Sequence, residues 1–160
     1  MPSGDEIESA IRSVDERLAA LHDRIMAAGD TPLLEGTWRV RDALSHLAAR
    51  ANGVERVLRR AQAAEDPSAP QPAAPRSVDE INAGQVEERV GRSVAELLDE
   101  IRVGHAAAIE AARALDDEML GRMLALGFRP GETSVGDMIL RGGPGHDQNH
   151  IDQIEAALAG

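Results

Sequence analysis

Cysteine and lysine are both absent, and Trp38 and Phe128 are the only aromatic side chains. Without cysteine there is no disulfide framework, no thiolate nucleophile and no Cys-type zinc site. The 17 basic residues are therefore all arginine, set against 28 acidic ones. The resulting net charge of −11 argues against a general nucleic-acid binder, which needs a basic face for phosphates. No apolar run approaches the about 20 residues of a membrane span. The N-terminal stretch MPSGDEIESA is acidic and lacks the charged-then-apolar pattern of a signal peptide, so a cytoplasmic location is expected.

What the chain does contain is alanine, 27 residues of 160, together with leucine, isoleucine and valine. A core of these residues suits closely packed helices better than strands, which favour aromatic and β-branched side chains. The length fits one domain, residues 1–160, with a core of its own.

Periodicity agrees. Ile7, Ile11, Val14, Leu18, Leu21 and Ile25 recur at four- and three-residue steps, which predicts an amphipathic helix over residues 4–28, capped by Ser3 and ended at Gly29–Pro32. Val40, Leu44, Leu47, Ala51, Val54, Leu58 and Ala61 predict a second, continuous helix over 40–65. Residues 66–76 hold four prolines and read as an exposed loop. Ser77–Glu80 and Ser93–Glu96 are capping-box patterns. The first opens a short helix to Val90. The second opens a long one to Leu115, with Val94, Leu98, Ile101, His105, Ala108, Ala112 and Leu115 on one side. Residues 116–132 read as a short helix and a loop. Ser134 starts another helix, and Gly142-Gly-Pro-Gly145 should kink or interrupt the last one, which carries Ile151, Ile154 and Leu158. Four long amphipathic segments and no strand signal predict an all-α four-helix bundle with short extra helices and a proline-rich loop.

The strongest chemical signal is His146-Asp-Gln-Asn-His150. Histidines at i and i+4 leave the same helix face and are spaced to share a transition-metal ion at about 2.0–2.1 Å. Zinc, nickel, copper and iron all suit imidazole, and a solvated surface pair is the competing reading. A third ligand would come from His22, His46 or His105. His46 sits on the shoulder of its helix stripe, where it can face a neighbouring helix. His105 lies squarely in its stripe and reads as a core histidine satisfied by a hydrogen bond. His22 reads as a surface residue. Trp38 anchors the entry of the second helix to the core, a role compatible with walling a cavity near His46. Asn82, polar in an apolar register, reads as a boundary residue or as a hydrogen-bonding partner of a ligand or substrate, and Gln153, on the His146/His150 face, admits the same two readings. Asp15, Glu16, Glu87 and Glu88 read as a solvated acidic surface.

Trp38-Arg-Val-Arg-Asp-Ala-Leu-Ser-His46-Leu, followed a hundred residues on by Gly145-His146-Asp-Gln-Asn-His150-Ile-Asp-Gln-Ile154, resembles the DinB/YfiT-like superfamily, which includes the mycothiol-dependent maleylpyruvate isomerase-like proteins. Ile81-Asn82-Ala83 after the proline-rich loop and Ser93-Val-Ala-Glu-Leu-Leu fit the same pattern, and the resemblance covers residues 33–158. It implies a DinB-like four-helix bundle. It further implies a divalent metal, zinc or nickel first, held by His46 from the second helix and His146 and His150 from the last. Thiol-dependent transferases and isomerases using mycothiol, bacillithiol or glutathione belong to the superfamily, and its members often form dimers, so a homodimer is expected.

Two positions depart from the pattern. Arg39 follows Trp38 where a small hydroxyl residue usually caps the helix, and Gly142-Gly143-Pro144-Gly145 could shift the histidine pair along the bundle. The resemblance thus implies a metal-dependent thiol S-transferase or isomerase acting on a small molecule, with no general base nameable from sequence. A metal-assisted hydrolase is the alternative within the same chemistry, and a non-catalytic stress-response or ligand-binding bundle the alternative outside it.

Overall fold

Ser3 and Glu6 close a reciprocal cap at the start of the first helix, α1 (Gly4–Ala27): the Ser3 hydroxyl accepts the Glu6 N–H at 3.2 Å and the Glu6 carboxylate accepts the Ser3 N–H at 2.7 Å. The computed structural model describes residues 1–66, 68, 76–127 and 129–160. The further helices are α2 (Val40–Arg50), α3 (Gly53–Glu65), α4 (Val78–Glu87), α5 (Val94–Arg113), α6 (Asp117–Gly121), α7 (Val135–Gly142) and α8 (Pro144–Leu158). The six isoleucine, valine and leucine positions of α1 are all buried, as their spacing predicts. The expected proline-rich loop lies for the most part outside the described residues.

The expected continuous helix over 40–65 is two helices. The chain leaves helical geometry at Asn52 (φ −94°, ψ 57°), and the Ala51 N–H bonds back to Ala48 rather than Leu47. Asn52-Gly53 is a turn-forming dipeptide, and the apolar stripe running through it conceals the break. Packing exploits the break: Gly104 of α5 abuts Ala51 so closely that a β-carbon there would overlap that of Ala51. The interruption expected at Gly142–Gly145 is present. Gly143 (φ −102°, ψ −107°) separates α7 from α8, its N–H bonded to the Ile139 carbonyl at 2.9 Å, and Pro144 starts α8.

The reading of 116–132 as a short helix and a loop, without strands, needs correction. After α6 the chain forms a two-stranded antiparallel hairpin, β1 (Met123–Ala125) and β2 (Glu132–Ser134), with Leu124 opposite Thr133. Each strand has only 3 residues, too few for alternation to stand out, and only Leu124 points into the core in β1. Two other boundaries shift. Helix α4 ends at Glu87 and buries no residue, and in α5 it is Leu97 rather than Leu98 that is fully buried.

Four columns result: α1, α2 with α3, α5, and α7 with α8. They form a four-helix bundle whose core lies in two layers. One layer joins Val14, Leu18, Leu21 and Ile25 to Leu44, Leu47, Leu97, Ile101, Ile151 and Ile154. The other joins Ile7 and Ile11 to Val54, Val57, Ala108, Ala112, Leu124 and Ile139. Each fully buried Leu or Ile contributes roughly 1.5–3 kcal/mol, so this apolar seam holds α2 against α8. Among the described residues no helix is long and apolar enough to cross a membrane.

A candidate metal centre of three histidines

Helix α2 begins at Arg39, whose side chain offers no acceptor to cap it. Asp42 compensates: its carboxylate accepts the Arg39 backbone N–H at 2.9 Å and pairs with the guanidinium at 3.0 Å. The helix start that the Arg39 departure put in question is therefore secured from the N3 position. Two turns on, His46 is buried, 1% exposed. His146 and His150 project from the first two turns of α8.

The three rings meet. His46 Nε2 lies 3.0 Å from His146 Nε2, which lies 3.0 Å from His150 Nε2. One ligand atom from each of the three lies within 4.8 Å of the others. The break at Gly142–Gly145 thus leaves the pair of α8 in register with α2. Trp38 walls the cluster, its ring 5.3 Å from His46 and 6.1 Å from His150.

Hydrogen bonds orient two of the rings. His46 Nδ1 lies 2.6 Å from Gln85 Oε1, and His150 Nδ1 lies 3.0 Å from Gln153 Oε1. A carboxamide oxygen only accepts, so each Nδ1 carries the proton and each Nε2 presents a lone pair. Burial, reinforced by the neighbouring Arg50 and ring charges, pushes the pKa of His46 and of His146 down to about 4. Neutral imidazoles with lone pairs facing one point fit a divalent cation, which relieves their mutual repulsion.

Gln153 thus stands where the sequence placed it, against His150. Asn82 does not: its side chain makes no hydrogen bond among the described residues, and Gln85, one turn further along α4, reaches His46 instead. Two amide side chains three residues apart beside Val78, Ile81 and Val86 were the visible signal for either residue. His22 is exposed beside Asp23. His105 is buried and satisfied, with Nδ1 2.5 Å from Asp15 and Nε2 3.7 Å from Asp147. Asp15 is therefore not merely a solvated acid but the partner of a core histidine. Burial opposes the charge of His105, yet the two carboxylates outweigh it and lift its pKa to about 9. Asp147, buried and with Oδ1 unpartnered, has no sequence signal beyond lying next to His146.

A mostly helical four-helix bundle with a histidine from its second column and a pair from its last defines a DinB-like protein. The family model for the mycothiol maleylpyruvate isomerase N-terminal domain matches residues 7–141, and the chain belongs to that family. No curated protein matches the sequence. Among solved structures, an uncharacterised protein from Clostridium difficile 630 superposes with a TM-score of 0.72 at 16% identity, over 98% of this chain and 95% of that one. YfiT from Bacillus subtilis, described as "a probable metal-dependent hydrolase with an unusual four-helix bundle topology", superposes with a TM-score of 0.71 at 19% identity, over 98% of this chain and 88% of that one. At these identities the likeness is one of fold.

Proposed function

We propose that the protein is a divalent-metal-dependent enzyme that uses a low-molecular-weight thiol such as mycothiol as co-substrate, in the manner of an S-transferase or isomerase. The convergence of the His46, His146 and His150 Nε2 atoms at 3.0 Å carries the reading. These three side chains would hold zinc or nickel and leave a position open for a substrate. A divalent ion bound there supplies Lewis acidity, lowering the pKa of a thiol or a water at neutral pH. With no cysteine in the chain, a thiol nucleophile has to be a separate molecule.

The chain's own groups prepare the site. Gln85 and Gln153 hold two rings in one tautomer, and Trp38 covers one side of the cluster. Elemental analysis of untagged protein tests the premise. About one equivalent of metal is expected, and less than about a tenth, with no change in melting temperature on chelation, overturns it. Metal-assisted hydrolysis is the second reading, favoured by the description of the YfiT structure. Turnover of an ester panel without added thiol selects it over thiol transfer.

A further inference from the structure

Between the two apolar layers of the core lies a polar one. On α1, Ile7 and Ile11 belong to one layer and Val14 to the other, and Asp15 stands at the changeover. On α5, His105 separates Ile101 from Ala108, and in the last column Asp147 separates Ile139 from Ile151. The three side chains meet. His105 Nδ1 donates to the Asp15 carboxylate at 2.5 Å, and His105 Nε2 lies 3.7 Å from Asp147 Oδ2. His105 is 3% exposed and Asp147 4%. Helices α5 and α8 occupy opposite corners of the bundle, each packed against α1 and α2, so this pair reaches across the core.

Asp147 stands where an apolar side chain is expected. Asp147, Ile151 and Ile154 form the inward stripe of α8, at steps of four and three residues. The start of that helix is otherwise lightly held. Its N-cap is Gly143, which has no side chain to cap with, and besides Asp147 only Pro144 is buried before Ile151. The Asp147 Oδ1 has no partner among the described residues, which leaves His105 as the partner of this carboxylate.

His146 directly precedes Asp147, and His150 follows it by three residues, so the aim of both imidazoles depends on the rotation of this turn about the helix axis. At the roughly 5–6 Å radius of a helix with its side chains, a rotation of about 10° moves a ring by about 1 Å. Metal–ligand distances tolerate only about 0.2 Å. Apolar contacts are non-directional and resist such a rotation weakly. A charged pair joining fixed points on two helices resists it. Burying three ionisable groups gains little stability over an apolar layer of the same shape, so their worth lies in what they orient.

We propose that Asp147, held by His105 and through it by Asp15, is a positioning residue for the metal centre. The polar layer sets the rotation of the first turn of α8 and thereby aims His146 and His150 at His46. This rests on the three histidines holding a metal.

Two substitutions separate positioning from charge. Asp147→Ala removes the contact with His105. Asp147→Asn removes the same charge but keeps the shape and an acceptor oxygen. Zinc affinity is read by competition with a chromophoric chelator, and ligand geometry by the visible spectrum of cobalt-loaded protein, which a general loss of stability does not alter. Asp147→Ala is expected to bind zinc about 10–100-fold more weakly than the wild type and to shift the cobalt spectrum, with Asp147→Asn recovering most of the affinity and the wild-type spectrum. Asp147→Leu takes the place of Asp147→Ala if the latter does not melt cooperatively. Unchanged affinity and spectrum on loss of the contact, or equal losses in Asp147→Ala and Asp147→Asn, overturn the positioning role and leave the metal centre standing. A wild-type protein that takes up neither zinc nor cobalt overturns the metal centre, and the positioning role with it.

Discussion

His46 and His146 are separated by 100 positions in the chain, yet their Nε2 atoms lie 3.0 Å apart. The seam of Leu44, Leu47, Ile151 and Ile154 holds α2 against α8 at the level where these rings emerge. The site is a by-product of core packing, and its chemistry depends on that packing.

His146→Ala removes the ring that touches both others. Metal content is expected to fall from about one equivalent to below a tenth by elemental analysis. The melting temperature of the variant should no longer respond to chelator, whereas that of the wild type falls. Unchanged metal content in the variant contradicts the assignment.

Gln85→Leu deprives His46 of the acceptor that fixes its tautomer. Metal affinity is expected to drop about 10–100-fold in a competition titration with a chromophoric chelator. Stability should change little, since α4 buries no residue in the core. Asn82→Leu, by the same titration, should leave affinity as it was.

His105 makes stability pH-dependent. Its folded pKa is raised to about 9 from 6.5, so the ion pairs with Asp15 and Asp147 contribute fully below about pH 6.5 and are lost as pH rises through about 9. Urea midpoints of metal-free protein should fall across this window, by the equivalent of on the order of 3 kcal/mol. His46 and His146 titrate below the window and do not enter it. Asp15→Asn should flatten the decline, and a slope identical to that of the wild type would show that the Asp15 pair is not its source.

Gly104→Ala tests the break between α2 and α3. The added methyl meets the Ala51 side chain and backbone, so α5 must withdraw from the turn. A loss of roughly 1–3 kcal/mol in chemical denaturation is expected. Ala at Gly84, where a β-carbon meets nothing within 4 Å, is the matched control and should be neutral or stabilising.

Much of this protein is legible in its residue order because helices are local objects. The stripe from Ile7 to Ile25, the capping boxes at Ser77 and Ser93 and the glycine break before His146 each act over a few residues, and each appears where the pattern puts it. The histidine triad was accessible through its likeness to a family pattern, since spacing alone relates only His146 to His150. The hairpin at Met123–Ser134 and the bend at Asn52 escaped for a physical reason. Strands of 3 residues carry no period, and a bend that keeps its apolar stripe facing inward leaves none to break.

The primary structure by itself determined the helical class, the helix starts marked by Ser3, Ser77, Ser93 and Ser134, and the kinds of side chain available for chemistry. Packing of α1, α2, α4, α5 and α8 decided the rest: Gln85 rather than Asn82 beside His46, and Asp15 and Asp147 on either side of His105. Each of these is a meeting between helices, and which side chains meet depends on the rotation and height at which the helices dock. Those two quantities are set by the fit of the whole core rather than by any short stretch of chain.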